Sequence, residues 1–288
     1  MAAAPLPSLS HVLRRDGLRA RKSWGQNFLT DLALARRIAR AGEPSNQSVL
    51  EIGAGPGGLT RALLLEGARH VVAVERDERC RPALEEIAAH ARQQGQRVTL
   101  VFGDALALVR ANQLALPERY QISANLPFQL SSPLLLAWLT ASPWPPRWQQ
   151  ATLLVQKEFA TRLAGTAGSQ YGRLSVLCQW RCAVRICFTV SARAFTPPPK
   201  VDAALVQLRP HRRPLAADLA WLQRATAAAF GQRRKMLRSS LKPLHAEPAR
   251  VLAALGINER ARAEELSVAQ FCALSNALQK DGDANKSG

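Results

Sequence analysis

The stretch 49–60, VLEIGAGPGGLT, constrains this chain more than any other. Apolar Val49 and Leu50 lead into Glu51, glycines stand at 53, 55, 57 and 58, and 59–65 reads as a helix. A strand feeding a glycine turn that opens a helix is a cradle for a small molecule. Glycine lets the backbone turn tightly and lets a ligand approach with no Cβ in the way. The surrounding pattern supports such a turn. Strands are predicted at 48–52, 70–75, 97–102, 120–124 and 151–155, with helices at 59–66, 79–94 and 132–140 between them. That alternation argues for a mostly parallel sheet covered on both faces. Two later strands, 184–190 and 203–208, have no helix between them and suggest an antiparallel hairpin at the sheet edge. Residues 8–41 read as helix in two pieces broken near Gly17 and Gly25, the second capped by Asp31.

Beyond Pro210 the character changes. His211-Arg212-Arg213-Pro214 reads as a linker, and 215–278 shows helical patterns with no convincing strand. The expected organisation is a domain at 1–210, a helical domain at 211–280 and a disordered tail at 281–288. The chain carries 39 Lys+Arg against 21 Asp+Glu, a formal charge of +18. A chain that basic usually meets a polyanion, most often nucleic acid. Arg233, Arg234, Lys235 and Arg238 are expected to grip phosphates without reading sequence, several of them sharing a helix face. Five cysteines (80, 178, 182, 187 and 272) form no CxxC pair and are expected to be small buried side chains rather than metal ligands. There is no apolar run long enough for a membrane span. The N-terminus lacks the apolar stretch of a secretory signal. Being Arg-rich and acid-poor, it leaves a mitochondrial location as an alternative to the cytoplasm.

The strand ends carry the chemistry. Glycines 53, 55 and 58 satisfy GxGxxG, so a nicotinamide dinucleotide and S-adenosylmethionine are both open. Glu75 ends the second strand, where a carboxylate can accept both ribose hydroxyls. Asp104 follows the third strand and can accept from an adenine amine. Either acid could instead simply cap the helix that follows. Asn125-Leu126-Pro127-Phe128 ends the fourth strand, and ligands of open α/β sheets bind at such carboxyl ends. The tetrapeptide suits methylation of an exocyclic amine. The Asn125 side-chain oxygen and the Leu126 carbonyl can accept its two N–H bonds, and Phe128 offers a face for a flipped-out base. Catalysis would then be mostly positioning, with no tuned general base.

These motifs occur in order with Lys22…Gly25-Gln26-Asn27-Phe28-Leu29, Gln156-Lys157-Glu158, Phe195-Thr196-Pro197-Pro198-Pro199-Lys200-Val201-Asp202 and Phe230…Arg233-Arg234-Lys235. Over roughly residues 10–275 the chain resembles the rRNA adenine N6,N6-dimethyltransferases, in particular their small-subunit branch. The resemblance implies an α/β class I S-adenosylmethionine-dependent methyltransferase fold, Rossmann-like, with a mostly parallel seven-stranded sheet and a small C-terminal helical domain. It implies S-adenosylmethionine as methyl donor, no metal, and dimethylation of two adjacent adenosines near the 3′ end of small-subunit rRNA. The partner would be an immature 30S-type subunit, and the protein a monomer. Donor contacts would come from Asn27, Leu29, Gly53, Glu75, Asp104 and Asn125, and the amine site from Asn125, Leu126 and Phe128. Phe128 stands where bacterial members usually carry Tyr, which keeps stacking and drops a hydroxyl. A macrolide-resistance enzyme acting on the large subunit, a mitochondrial methyltransferase or transcription-factor relative, and a dehydrogenase are the competing readings. The loop 195–200 is either a brace for the substrate base or a rigid crossover.

Overall fold

The computed structural model describes residues 6–168 and 170–284. In chain order the first elements are α1 (Leu9–Arg15), β1 (Phe28–Leu29), α2 (Leu32–Ala41), β2 (Ser48–Ile52), α3 (Gly58–Leu65) and β3 (His70–Glu75). Then come α4 (Arg81–Gln93), β4 (Arg97–Phe102), α5 (Ala105–Arg110), β5 (Tyr120–Asn125), α6 (Phe128–Thr140), β6 (Trp148–Gln156) and α7 (Lys157–Ala164). They are followed by α8 (Arg173–Arg181), β7 (Cys182–Val190), β8 (Phe195–Thr196) and β9 (Ala203–Pro210). The last are α9 (Leu219–Gly231), α10 (Leu237–Ser240), α11 (Pro248–Ala254) and α12 (Val268–Ala284).

Seven strands form one sheet in the order β4-β3-β2-β5-β6-β9-β7. The first five are parallel, and β9 runs antiparallel to β6. Every residue of β2 is buried, as is expected of a strand with both faces covered, which is why it reads as an apolar run rather than an alternation. Chain order reverses between β2 and β5, which are neighbours in the sheet. A crevice therefore opens at their carboxyl ends. Asp31 caps α2, its Oδ1 accepting from Ala33 N at 2.8 Å and Leu34 N at 3.2 Å.

The late hairpin differs from the expectation in one respect. Between β7 and β9 the chain leaves the sheet and forms β8, which pairs antiparallel with β1 in a sheet of two. Phe28 stands opposite Thr196, and Leu29 opposite Phe195. Two-residue strands paired across such a span leave no local period to read.

The chain forms two compact units. One takes the residues up to Ala160 with Arg185–Arg209, the other Thr161–Val184 with the residues from Pro210. The sequence reading kept 161–184 in the first domain, but side-chain packing draws that segment into the helical unit. The Tyr171 ring meets Phe230 edge-on at 5.9 Å, Phe230 stacks on Phe271 at 5.4 Å, and Trp180 Nε1 donates to the Leu215 carbonyl at 2.8 Å. The tail also differs. Helix α12 runs to Ala284, so 281–284 are helical, while 285–288 lie outside the described residues. Cys80, Cys178, Cys182 and Cys272 are buried and Cys187 partly so. No described helix is long and apolar enough to cross a membrane.

Candidate active site

The glycine turn between β2 and α3 is pinned to the next strand, Gly53 N and Ala54 N both donating to the Val74 carbonyl at 2.8 and 3.2 Å. Gly57 holds φ at +89°, and a Cβ there would come 2.1 Å from Ile87 Cδ1 of α4. The turn can press onto that helix only because the position is glycine. A Cβ on Gly53 would instead point across the crevice, 3.6 Å from the Asn125 carbonyl oxygen and 3.9 Å from the Pro127 ring.

Behind the turn, Glu51 is fully buried. Its Oε2 accepts from Thr60 Oγ at 2.7 Å, and no described residue bonds its Oε1. Burial, aided by the nearby Glu75 charge, pushes its pKa from about 4.5 to about 8. Between those values the folded chain keeps a proton that the unfolded chain has released. Stability must therefore fall as pH rises from 4.5 to 8 and level off above it. Glu51→Gln keeps an acceptor for Thr60 and removes that titration. Its stability relative to the parent is expected to grow with pH by up to ~1 kcal/mol per unit in this window. Denaturant melts at pH 5, 7 and 8.5 check this, and parallel curves would contradict it.

Glu75 ends β3 with its carboxylate buried and engaged. Oε2 accepts from Gly55 N at 2.6 Å, and Oε1 from Arg76 N and Asp77 N at 2.8 Å each. Burial raises its pKa against those three donors. Oε1 is filled by its two donors, and the remaining lone pair of Oε2 is available to a hydroxyl. Asp104 caps α5 by accepting from Ala107 N at 3.0 Å, and its Oδ2 lies 3.8 Å from Arg76 Nη1. Asp104 is thus a helix cap, whereas the short helix after β3 is capped by Asp77 and not by Glu75, and both Glu75 and Asp104 line the crevice.

The segment 22–29 crosses the crevice as a strap. Gln26 Oε1 accepts from Arg21 N at 2.8 Å and its Nε2 donates to Asp77 Oδ2 at 3.0 Å. Buried Asp77 would be raised by desolvation, but Arg79 and Gln26 hold it down at about 2. Nothing in the sequence alone assigns a role to Gln26 or Asp77. The signal available was a carboxylate two residues after Glu75 and an amide inside the quoted N-terminal motif. Asn125 Nδ2 donates to the Asn27 carbonyl at 3.0 Å. That bond fixes the amide orientation and leaves Oδ1, to which no described residue donates, free to accept. Leu126 is buried, with its N–H bonded to the Leu154 carbonyl at 3.2 Å, and Phe128 opens α6 half-buried.

Asn27, Leu29, Gly53, Glu75, Asp104, Asn125, Leu126 and Phe128 all line one cavity of about 160 Å³, with Phe195 and Pro199 of the 195–200 loop on its wall. The residues fit a nucleoside-bearing sulfonium donor. There is a buried carboxylate at a strand end, a turn without a Cβ facing the crevice, and an unpaired amide oxygen across from it. Among the described residues no group of His, Cys, Asp and Glu could hold a metal.

The basic residues divide into engaged and free. Arg15 pairs with Asp16 and Glu86, Arg36 and Arg40 with Glu66, and Arg37 lies over Phe188. In the helical unit the expected shared helix face is not found. Helix α9 ends at Gly231, Gln232 leaves helical geometry, and 232–235 form a turn closed by Lys235 N to the Gln232 carbonyl at 2.8 Å. Arg233 donates to the Tyr171 carbonyl and lies 4.0 Å from Glu264, and Arg238 pairs with Glu259 at 2.9 Å. Arg234 and Lys235 are exposed with no described partner.

Residues 17–280 match the family model described as ribosomal RNA adenine dimethylase. The chain is 50% identical over 275 residues to the protein named ribosomal RNA small subunit methyltransferase A of Rhizobium johnstonii, covering 95% of this chain and 98% of that one. It is 50% identical over 280 residues to the protein of the same name from a Chelativorans species, covering 96% and 100%. Among solved structures, a dimethyladenosine transferase from Plasmodium falciparum aligns with a TM-score of 0.74 at 25% identity, covering 88% of this chain and 98% of that one. The 23S rRNA methyltransferase ErmE aligns with a TM-score of 0.67 at 27% identity, covering 88% and 100%.

Proposed function

The chain belongs to the ribosomal RNA adenine dimethylase family, and from that premise we propose that it dimethylates N6 of two adjacent adenosines near the 3′ end of small-subunit rRNA. It is an rRNA adenine methyltransferase, which sets aside a nicotinamide reading of the glycine turn. The small-subunit assignment is supported by the name of relatives that match nearly the whole chain at 50% identity. S-adenosylmethionine supplies an electrophilic methyl group on a sulfonium. In this reading Glu75 accepts through Oε2 from a ribose hydroxyl of the donor, Asp104 accepts from its adenine amine, and Gly53 gives room for close approach. Asn27 and Leu29 close the crevice from the strap.

The observation that carries the reading is the orientation of Asn125. Its Nδ2 is committed to the Asn27 carbonyl, which leaves Oδ1 to accept, and Asn125 lines the crevice. With the Leu126 carbonyl it takes the two N–H bonds of the target amine. Phe128 stacks on the base. The lone pair of the amine is then directed at the methyl group. A proton is lost only after transfer, so no side chain with a tuned pKa is required. The protein is read as a cytoplasmic monomer acting on an immature small subunit, and its +18 charge suits that polyanion. Incubation with labelled donor and immature small or large subunits tests the assignment. Label on small subunits alone is expected, and label on large subunits alone would contradict it.

Arg234 and Lys235 are the free cations of their turn and the ones read as phosphate contacts. Replacing both with alanine is expected to reduce the slope of log affinity for rRNA against log salt by about 1–2. Donor affinity should not change. Filter binding across a potassium chloride series measures this, and an unaltered slope would remove the two residues from the interface.

A further inference from the structure

The donor end of the crevice holds a side chain that neither the glycine turn nor the amine-holding tetrapeptide accounts for. Arg76 follows Glu75, and its backbone N–H donates to Glu75 Oε1 at 2.8 Å. Its guanidinium lies 5.0 Å from the centroid of the Trp24 ring and 3.8 Å from Asp104 Oδ2. One residue thus touches the ribose carboxylate through its backbone, and both the purine carboxylate and an aromatic wall through its side chain. Trp24 carries a second guanidinium, that of Arg21, at 4.5 Å. The Arg21 backbone is in turn tied through Gln26 to Asp77. Asp104 Oδ1 is spent on capping α5, which leaves Oδ2 beside Arg76. Trp24, Arg76 and Asp104 line the same cavity.

We propose that Arg76 is a positioning residue for the purine of the methyl donor, holding Trp24 as a wall over it and steadying Asp104 Oδ2 toward its exocyclic amine. This rests on the reading of the crevice as the donor site. Taken singly, an exposed cation–π contact or ion pair changes affinity by less than about tenfold. Arg76 gains importance by joining the two around one ligand group. Its planar guanidinium can lie along an indole while donating to a carboxylate, which a lysine ammonium cannot reproduce.

The test is calorimetric binding to the full-length chain of S-adenosylhomocysteine and of its inosine counterpart, in which the exocyclic amine is replaced by oxygen. The side chain of Arg76 is 61% exposed, so Arg76→Ala should fold, and melting without ligand verifies it. Arg76→Ala is expected to weaken S-adenosylhomocysteine by about 5–10-fold. The inosine counterpart, which keeps the Trp24 wall but has no amine for Asp104 to accept from, should weaken by less, about 2–3-fold. Arg76→Lys should recover only part of the loss. Unchanged affinity for S-adenosylhomocysteine, or equal weakening of both ligands, would overturn the inference while leaving the donor site standing. Failure of the unaltered chain to bind S-adenosylhomocysteine would overturn the donor-site reading and the inference with it.

Discussion

Asn125→Ala is expected to lower the rate of methyl transfer by about 10²–10³-fold, with donor affinity altered no more than a few-fold. The effect follows from where the charge develops. As the methyl moves to the adenine nitrogen, that nitrogen becomes cationic and its N–H bonds become stronger donors. An acceptor aimed at them is therefore worth more in the transition state than in the ground state. Asn125 Oδ1 is such an acceptor because the bond from Nδ2 to the Asn27 carbonyl prevents the amide from flipping. Asn125→Asp separates the two contributions. It keeps the acceptor but faces the Asn27 carbonyl with an oxygen instead of an N–H, so its rate should fall between those of parent and alanine variant. Single-turnover assays with saturating donor measure the chemical step. A rate for Asn125→Ala within a few-fold of the parent would remove Asn125 from the reaction.

Gly57→Ala is expected to cost about 2–5 kcal/mol of stability, through strain at a positive φ and overpacking of a filled core. The new Cβ would lie 2.1 Å from Ile87 Cδ1 and 3.4 Å from Leu84 Cδ2, and both side chains are fully buried. Two controls isolate the cause. Gly95 also has a positive φ, +74°, but nothing lies within 4 Å of its Cβ position. Gly95→Ala should therefore show the strain without the collision. Ile87→Val removes the atom that would be struck, so Gly57→Ala/Ile87→Val should be more stable than the sum of the single effects allows. Denaturant unfolding reports all four chains. Equal costs at Gly57 and Gly95 would show that the turn does not depend on packing against α4.

Much of this architecture can be read without coordinates, because the strands that position the crevice are buried on both faces. Strands β2 and β3 stand as buried apolar runs whose limits coincide with the expected ones, and the part-buried edge strand β4 also has the expected limits. Motifs at successive strand ends are brought to one crevice by the parallel topology itself, and so the candidate residues share a cavity. What the sequence withholds is whatever depends on distant partners. The pairing of β1 with β8 joins segments over 160 residues apart through two residues each. Gln26 is legible as part of a motif, but its bond to Asp77 is not. The helix that Asp104 is expected to be able to cap is α5, where Asp104 stands as N-cap ahead of the apolar run Ala105-Leu106-Ala107-Leu108-Val109. Spacing alone puts the charge cluster at 233–238 on a helix. Gly231 at the end of α9 was the signal that the helix stops there, and a turn follows it.

The division of the chain has the same explanation. Tyr171 and Trp180 look like residues of an α/β domain by position, yet the Tyr171 ring meets Phe230 of α9 and the Trp180 ring nitrogen donates to the Leu215 carbonyl, both beyond Pro210. Packing of aromatic side chains, which bury large areas, outweighs proximity along the chain in deciding which unit a segment joins.

The central claim is that this chain places two methyl groups on each of two neighbouring adenines of small-subunit rRNA. Mass spectrometry of small-subunit rRNA from cells lacking the protein, with and without restoration by the parent chain or the Asn125→Ala variant, tests it most directly. The paired dimethyladenines are expected to vanish, to return with the parent chain and to stay absent with the variant. Dimethyladenines that persist in cells lacking the protein, or that return with the variant as they do with the parent, would contradict it.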